Sequence, residues 1–482
     1  MDGSPQEAAG YRPPTTAHNP PMRPLEIVIP ALLAAYLLWR HPRPLAIRLL
    51  PALALTATLI HFAVEGYRWQ MIPLYVLTPL LGLSSLIKIT GTTDWKPIAS
   101  TLTVILLALA AALPALLPVP RIPAPSGPYP VGTTLYELTD DSRKELYSDK
   151  DEPRRYMIQV WYPADAAETA ERAPWMANAE IFAPAITRYI HLPDYFLDHL
   201  ALVEIPAYLD AKVAESGAPF PVILFSHGWN GFNAQNTAQA LELASRGFIV
   251  IGIQHTYGAV ITVFEDGTIA WNNPKALPQS GDDPNYEEIA RILADQWAGD
   301  MAYTLRILSN MAMDVRGSWW GRLDLNRVGV YGHSTGGGAA IQFCGTDPRC
   351  KAVLGMDPFM RPVSAQVIEN GVTQPAFFMF SQGWADDTDS RNNRLFNQFH
   401  PNVTNSLGAI SIDGTMHYDF SDLPLLSPIA PQLGLKGPLN GRRVTEIVNS
   451  YLVDFFEMTL NGKPSELFDG AFADFAEVRK LK

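Results

Sequence analysis

Long apolar runs dominate the first quarter of the chain. Four of them, separated by few charges, lie at residues 25–39, 45–64, 71–87 and 99–117. A helix needs about 20 apolar residues, within a range of roughly 17–25, to cross the hydrocarbon core of a bilayer. The second and fourth runs meet this length, the third is borderline, and the first is short and contains Glu26. The pattern predicts three to four transmembrane helices over residues 25–118, after a polar tail at 1–24. The alternative is a buried helical hairpin in a soluble domain.

The rest of the chain alternates short apolar runs with longer amphipathic ones. Seven runs rich in β-branched and aromatic residues lie at 155–162, 221–226, 247–254, 327–332, 351–356, 375–380 and 407–412. Helical stretches lie between them, including 234–245, 286–311 and 337–343. The run at 155–162 alternates and predicts an early strand, whereas the short β-rich runs bounded by turn residues predict parallel strands that are covered on both faces. Their alternation with helices predicts the α/β class, with a mostly parallel, doubly wound sheet. An aromatic and leucine-rich excursion at 173–218 is expected to form either a cap or an extra packing layer.

Six prolines between residues 118 and 130 separate the two patterns. Proline fixes φ and lacks a backbone N–H, so this stretch cannot continue a helix and is expected to be stiff and extended. We predict a proline-rich linker at 119–130 and a large second domain at 131–482.

The charge balance changes at the same boundary. The whole chain has 36 basic and 48 acidic residues, a net charge of −12. Residues 1–125 hold nine of the basic and five of the acidic residues, a net of +4. The remainder holds 27 basic and 43 acidic residues, a net of −16. An acidic second domain argues against a nucleic-acid partner, because it would repel the phosphates.

The basic residues near the apolar runs also bear on orientation. Arg40, Arg43, Lys88 and Lys96 lie in the loops after the first and third runs. Because basic loops favour the cytoplasmic side, we expect a multi-pass membrane protein whose second domain is extracytoplasmic.

The chain has two cysteines, which excludes a disulfide scaffold and a cysteine-rich metal domain. The spacing of Cys344 and Cys350 permits one disulfide, which an extracytoplasmic location would favour. Two reduced thiols are the alternative.

The sequence GHSTG at 332–336 matches the pattern G-x-S-x-G. It follows the predicted strand at 327–332 and precedes a run of small residues that begins a helix. A nucleophile elbow needs this order, because its turn is so sharp that small residues must flank the serine. Ser334 is therefore the candidate nucleophile, and Gly332 and Gly336 are the elbow glycines. The helix N-terminus beneath them favours developing negative charge.

The acid and the base are expected to follow the serine along the chain. His417 lies just past the predicted strand at 407–412, where a base can reach the elbow, whereas His400 lies in a polar stretch before that strand. Asp357 ends an apolar strand, where a carboxylate is costly without a partner such as a histidine N–H. We predict Asp357 and His417. The alternative acids lie together in a polar loop, which could also bind a cation: Asp386, Asp387 and Asp389.

Two backbone N–H groups are needed to bind the oxyanion. One comes from the residue after the nucleophile, Thr335, and the other from the loop after the strand at 221–226. That loop has the sequence HGWNG, and Trp229 is the predicted donor. His227 precedes the nucleophile and is expected to bond its own loop rather than to act as the base.

Together these segments resemble the platelet-activating factor acetylhydrolase family, in its plasma and isoform II forms. The resemblance spans about 127–460 and includes GPYPVG at 127–132, VWYP at 160–163, FSHG at 225–228, LASRGFIV at 243–250 and GTMHYDFSD at 414–422. It implies an α/β-hydrolase fold with Asp357 as the acid. It also implies phospholipids with short or oxidised acyl chains as substrates. Thr335 stands where the family often has phenylalanine, and Trp229 where it often has an aliphatic residue.

The predicted function is that of a membrane-anchored serine ester hydrolase with a catalytic domain at 131–482. No metal or organic cofactor is expected, and the expected partners are a membrane and a lipid or other ester substrate. One alternative is a general carboxylesterase, lipase or polyester hydrolase with the same triad. Another is an inactive membrane sensor or scaffold. The oligomeric state is not predicted.

Overall fold

The structure, a computed structural model, has an N-terminal helical bundle and a large α/β body. It describes residues 22–39, 42–89, 97–165, 170–278, 281, 283–465, 467–468 and 475–481, with the backbone alone for 86–89 and 97–100. The predicted polar tail at 1–24 lies almost entirely outside the described residues.

The four apolar runs form four helices, which begin and end within a few residues of the predicted positions. Their bounds are Pro24–Leu38 (α1), Leu45–Val64 (α2), Ile72–Ile89 (α3) and Pro97–Leu116 (α4). They pack around a small apolar core in which Ile29, Leu33 and Leu74 are fully buried. The bundle therefore has an interior of its own, separate from that of the body.

Helix length limits the prediction of three to four membrane spans. Among the residues with described side chains, α2 is long and apolar enough to cross a bilayer, whereas Pro24–Leu38 and Thr101–Leu116 are shorter apolar helices. At 1.5 Å per residue a 15-residue helix rises about 22 Å, which is less than the roughly 30 Å of a hydrocarbon core. The structure thus supports one span, and it does not support a multi-pass arrangement.

The proline-rich linker has no helix or strand, as expected, but it is fastened to the body. Ser126 N–H donates to Glu242 at 2.9 Å, and Gly127 N–H donates to Ser245 Oγ at 3.0 Å. Tyr129 N–H donates to the Ser245 carbonyl at 2.9 Å. A Cβ at Gly127 would lie 2.3 Å from that carbonyl oxygen, so only glycine permits this close approach.

The body is built on an eleven-stranded sheet in the order β13-β12-β11-β10-β9-β5-β6-β2-β1-β4-β3. Its strands are Val131–Lys144 (β1), Pro153–Pro163 (β2), Arg172–Pro174 (β3), Glu204–Leu209 (β4), Phe220–Ser226 (β5), Ile249–Gln254 (β6), Leu323–His333 (β9), Ala352–Met356 (β10), Pro375–Ser381 (β11), Asn405–Ile412 (β12) and Val478–Leu481 (β13). A separate hairpin pairs Ile261–Val263 (β7) with Ile269–Trp271 (β8).

All seven predicted strands are present, and six of them are parallel. β6, β5, β9, β10, β11 and β12 form a continuous parallel core. The seventh, β2, pairs antiparallel with β6, which agrees with the prediction of a mostly parallel sheet. β2 pairs on its other side with β1, also antiparallel.

Helices cover both faces of the sheet. Their bounds are Ala179–Tyr189 (α5), Thr237–Ser245 (α6), Tyr286–Met313 (α7), Thr335–Thr346 (α8), Ala365–Asn370 (α9), Gln382–Asp386 (α10), Arg391–Phe399 (α11) and Gly441–Asn461 (α12). In β5, Val222 and Leu224 pack in the core with α7 and α8, whereas Ile223 and Phe225 pack in the core with α6 and α12. This alternation follows from the two-residue period of a strand and makes the sheet doubly covered.

The excursion at 173–218 forms β3, α5, a 3₁₀ segment at Asp194–Leu202 and β4. It packs on the loop after β5, where the rings of Trp175 and Phe232 lie 5.9 Å apart. It also contacts the helical bundle, because Trp69 Nε1–H donates to the Phe196 carbonyl at 3.1 Å. Gln70 Nε2 lies 2.7 Å from His199 Nδ1. The excursion is thus a packing layer between body and bundle.

Candidate active site

The chain makes a strained turn between β9 and α8. Ser334 occupies this turn with φ of 56° and ψ of −122°, a conformation that costs free energy in a non-glycine residue. A Cβ at Gly332 would lie 2.3 Å from the Gly336 carbonyl oxygen, and a Cβ at Gly336 would lie 2.1 Å from the Ser226 carbonyl oxygen. Only glycine fits at either position, so the turn can place Ser334 at the carboxyl edge of the sheet.

Asp357 and His417 meet at the same edge, after β10 and β12. Asp357 Oδ2 lies 3.0 Å from His417 Nδ1. The Asp357 carboxylate is fully buried and also accepts from Ser381, at 2.8 Å from its N–H and 2.6 Å from its Oγ. The His417 side chain is 22% exposed, so one part of the ring stays accessible. This arrangement fixes the proton on Nδ1 and leaves Nε2 free to accept one.

The alternative acid and base lie elsewhere. All three aspartates of the polar loop are exposed, and Asp386 pairs with Arg479 at 3.4 Å. His400 Nε2 lies 2.9 Å from Ser406 Oγ, and its ring stacks on Phe396. His400 is thus held by Ser406 and Phe396 rather than by Asp357.

The loop after β5 approaches the nucleophile closely. A Cβ at Gly228 would lie 3.2 Å from the Ser334 Cβ. The N–H groups of Trp229 and Thr335 have no acceptor among the described residues. His227 Nδ1 lies 2.7 Å from the Gly228 carbonyl, so His227 bonds its own loop, as the sequence predicts.

Three further side chains support His417 and were not predicted from the sequence. Trp384 stacks on its ring, with centroids 4.4 Å apart and planes 8° from parallel. His333 Nε2–H donates to the His417 carbonyl at 2.9 Å. Ser381 bonds Asp357, as described above. Burial lowers the pKa of His333 well below its usual range, so this ring stays neutral. Of these three residues, only His333 had a signal in the sequence, namely its position inside the G-x-S-x-G pattern next to the candidate nucleophile.

One group of metal-ligand type occurs among the described residues, and it lies in the bundle. Glu26, His61 and Glu65 place one potential ligand atom each within 4.8 Å of one another. The Glu26 carboxylate is already paired with Arg68 at 2.9 Å and with Arg23 at 2.8 Å. Two guanidinium groups compensate the charge of the two carboxylates, so this group lacks the net negative charge that would attract a divalent cation.

Comparisons with known proteins agree with this architecture. The family model described as platelet-activating factor acetylhydrolase, isoform II, matches residues 117–282 and 299–470. A platelet-activating factor acetylhydrolase of Cavia porcellus is 26% identical over 364 residues, which cover 70% of this chain and 78% of that protein. A probable 1-alkyl-2-acetylglycerophosphocholine esterase of Arthroderma benhamiae is 25% identical over 389 residues, covering 74% and 92% respectively.

The fold also has a solved counterpart. A ferulic acid esterase from Streptomyces cinnamoneus matches with a TM-score of 0.62 and 23% identity, over 76% of this chain and 100% of that one. Together with the mostly parallel, doubly covered sheet, this confirms the predicted α/β-hydrolase fold of the body.

Proposed function

The chain belongs to the platelet-activating factor acetylhydrolase, isoform II, family of ester hydrolases, and from this membership we propose that it hydrolyses short-chain acyl esters of phospholipids with Ser334 as nucleophile. The observation that supports this mechanism best is the hydrogen bond between His417 Nδ1 and the buried Asp357 carboxylate, at the sheet edge that carries the strained Ser334. A phospholipid substrate is suggested by the names of the relatives in Cavia porcellus and Arthroderma benhamiae.

In the proposed reaction, His417 Nε2 takes the proton of Ser334 Oγ as that oxygen attacks the ester carbonyl. Asp357 holds the imidazole in the required tautomer and stabilises the imidazolium. The N–H groups of Thr335 and Trp229 bind the oxyanion of the tetrahedral intermediate. His417 then donates its proton to the leaving alcohol. In the second half of the reaction, His417 takes a proton from water as the water attacks the acyl-enzyme, and it returns this proton to Ser334 Oγ when the acid leaves.

Replacing the nucleophile tests this mechanism. We expect Ser334→Ala to abolish turnover of p-nitrophenyl acetate while the protein still folds, because the proposed acyl-enzyme forms on the Ser334 Oγ that this variant lacks. Ser390→Ala is a suitable control, since Ser390 caps α11 outside the site. A fluorophosphonate probe should label the wild-type enzyme at Ser334. Absence of labelling would favour the inactive sensor or scaffold.

A substrate panel separates the phospholipid esterase from a general carboxylesterase or polyester hydrolase. We expect kcat/KM on a 2-acetyl phospholipid to exceed kcat/KM on a triglyceride, a long-chain phospholipid or an aromatic ester. A preference for the aromatic or polyester substrate would contradict the proposed substrate class and leave the triad mechanism in place.

We also infer that the helical bundle anchors the enzyme in a membrane. Its outer surface is apolar on every helix, with large side chains that are more than a third exposed: Ile27, Val28, Leu53, Leu59, Val76, Leu80, Ile105 and Leu109. An apolar surface this extensive marks a lipid or protein contact. The body is proposed to lie outside the cytoplasm, because the basic residues between the apolar runs, Arg40, Arg43, Lys88 and Lys96, favour the cytoplasmic side of a bilayer.

Charged substitutions test the lipid contact. Leu80 and Leu109 are 59% and 62% exposed, so lysine at both positions would be tolerated in water but costs several kcal/mol in hydrocarbon. We expect Leu80→Lys/Leu109→Lys to be lost from carbonate-washed membranes, whereas Leu433→Lys is retained, because Leu433 is 59% exposed on the body. Retention of the double variant in carbonate-washed membranes at the wild-type level would contradict the lipid contact, and a wild type that is washed off by carbonate would contradict the anchor.

A further inference from the structure

Beneath the proposed oxyanion loop lies a second set of serine, histidine and aspartate. Ser226 Oγ lies 2.8 Å from His255 Nε2, and His255 Nδ1 lies 2.9 Å from Asp300 Oδ2. All three residues are completely buried, at 0% exposure. Substrate cannot reach this serine, so the set is not a second catalytic triad. Burying so many polar groups is costly, and their arrangement calls for a role in the fold or in the site.

The charge of this buried set is compensated. Asp300 accepts from Arg154 at 2.7 and 3.0 Å and from Arg143 at 2.8 Å. Burial would raise the pKa of Asp300, but Arg154, His255 and Arg143 together hold it well below its usual range. Burial lowers the pKa of His255. The ring is therefore neutral, with its proton on Nδ1 toward the Asp300 carboxylate and its Nε2 accepting from Ser226.

From His255 the hydrogen bonds continue into the loop that carries Trp229. The His255 backbone N–H donates to His227 Nε2 at 3.1 Å. His227 must therefore carry its proton on Nδ1, which donates to the Gly228 carbonyl at 2.7 Å. Trp297 holds both rings, stacked on His255 with centroids 4.2 Å apart and edge-on to His227 at 5.2 Å.

The last bond in this series helps to fix the direction of the Trp229 N–H group. The Gly228 carbonyl and the Trp229 N–H belong to one planar trans peptide, so they point in opposite directions. A donor that fixes the carbonyl oxygen also fixes the N–H. The Gly228 carbonyl has two such donors, the His227 side chain and, at 2.9 Å, the Gly231 N–H within the same loop. Asn230, the next residue, has φ of 58°, and the loop thus holds a strained conformation that needs such support.

We propose that Asp300, His255 and His227 form a positioning relay that aims the Trp229 N–H at the oxyanion. This inference rests on the proposed function, because it takes Trp229 to be an oxyanion donor. The three side chains do not touch the substrate. They act by keeping one peptide plane in the orientation that the transition state requires, which costs no reorganisation during the reaction.

The test compares two polar replacements of His227 in the full chain. Asparagine places its amide nitrogen where Nδ1 lies, so His227→Asn keeps a donor for the Gly228 carbonyl. Glutamine places its amide at the Nε2 end, so His227→Gln removes the side-chain donor and leaves that carbonyl with the Gly231 N–H, at 2.9 Å, as its remaining donor. We expect His227→Gln to lower kcat on p-nitrophenyl acetate about 100-fold with KM changed less than about threefold, as for loss of one oxyanion donor. His227→Asn should stay within about fivefold of the wild type.

A second readout separates positioning from a merely structural role. A trifluoromethyl ketone forms a tetrahedral adduct on the serine, so its Ki should rise in step with the loss of kcat. Active enzyme is counted by burst titration, so that loss of folded protein does not lower kcat. His400→Gln serves as the control, because it removes the hydrogen bond of a partly buried histidine that lies outside the site, and its kcat should not change.

Specific outcomes would overturn the relay. Equal kcat values for the Asn and Gln variants, or an effect on KM alone, would contradict it. If His227→Gln does not fold, Ser226→Ala tests the same series, and an unchanged kcat in that variant would contradict it. Retained turnover in Ser334→Ala would instead contradict the proposed function. An inactive Ser334→Ala beside a fully active His227→Gln would contradict the relay alone.

Discussion

At the scale of single residues, Asp357 shows how the site keeps a buried carboxylate. It lies at φ of 42°, a left-handed conformation that is costly for aspartate, and accepts hydrogen bonds from Ser381 N–H, Ser381 Oγ and His417 Nδ1. Ser381 Oγ also accepts from Trp384 N–H at 3.3 Å. One hydroxyl group thus links the carboxylate to the ring that stacks on the proposed base.

Removal of that hydroxyl group should lower the rate. We expect Ser381→Ala to reduce kcat about tenfold. A hydrogen bond to a charged group is worth roughly 1.5–3 kcal/mol, and kcat falls only by the part of this energy that stabilises the transition state more than the ground state. The measurement is kcat and KM on p-nitrophenyl acetate. Ser390→Ala is the matched control, since Ser390 also caps a helix through its side chain but lies away from Asp357. Similar kcat values in both variants would contradict this role of Ser381.

At the scale of elements, one disulfide joins two parts of the site. Cys344, in α8, is bonded to Cys350, just before β10. Ser334 immediately precedes that helix and Asp357 immediately follows that strand. The disulfide therefore closes the connection between the elements that carry nucleophile and acid, and it decides between the two alternatives that the sequence left open. Both sulfurs are buried, so the bond also packs in the core.

Loss of this bond should affect stability more than catalysis. For a loop this short, the entropy of the unfolded chain predicts a loss of about 2 kcal/mol in the free energy of unfolding for Cys344→Ser/Cys350→Ser. Chemical denaturation with and without reductant measures it. The wild type should fall to the level of the variant when reduced, and kcat should change less than about twofold. A reductant-insensitive wild type would mean that the thiols are free.

The elements also show what the sequence could and could not predict. β5 and β10 were predictable because each is a short, fully buried run bounded by turn residues, and the same holds for the buried second half of β9. β1 was missed because its second half is polar and largely solvent-accessible, and the four-residue β13 because it contains Arg479 and Lys480. The direction of β2 could not be predicted, since apolar spacing along a strand does not encode which neighbour it pairs with.

The same limit applies to the candidate site. Ser334, Asp357 and His417 were proposed because motif spacing and chain order carry information about a nucleophile elbow. The contacts of Ser381, Trp384 and His333 are set by which strand ends meet at one edge of the sheet. Their roles appear only when the chain is folded. The catalytic assignment of all these residues stays a prediction until the variants are measured.

At the scale of the whole molecule, the body and the bundle are joined by a polar contact that depends on a neutral histidine. Gln70 Nε2 donates to His199 Nδ1, and the His199 side chain is 3% exposed. Burial, together with the charge of Arg68, lowers the pKa of His199 to about 3. Protonation of Nδ1 would place two donors against each other, so acid should weaken this junction.

The resulting pH dependence has a definite sign. The folded-state pKa of His199 is about 3 and the unfolded value is about 6.5, so the stabilisation is complete above pH 6.5 and is lost as the pH falls. At pH 5 the loss is about 2 kcal/mol. We expect Tm to fall between pH 7.5 and pH 5, and to fall less in His199→Asn, which keeps an acceptor but does not titrate there. Equal changes in Tm for both proteins would contradict this role of His199.

The fastened linker has a consequence for kinetics. The body is not connected to the bundle by a flexible linker alone. The linker is hydrogen-bonded to the body through Ser126, Gly127 and Tyr129, and the bundle is hydrogen-bonded to the excursion through Trp69 and Gln70. With the bundle in a bilayer, as proposed, the active site would stay at one height above the membrane and the enzyme would move in two dimensions with a phospholipid substrate. Its rate would then follow the mole fraction of the substrate in its own membrane. Dilution with inert lipid would slow it, even when the amount of substrate in the suspension is unchanged.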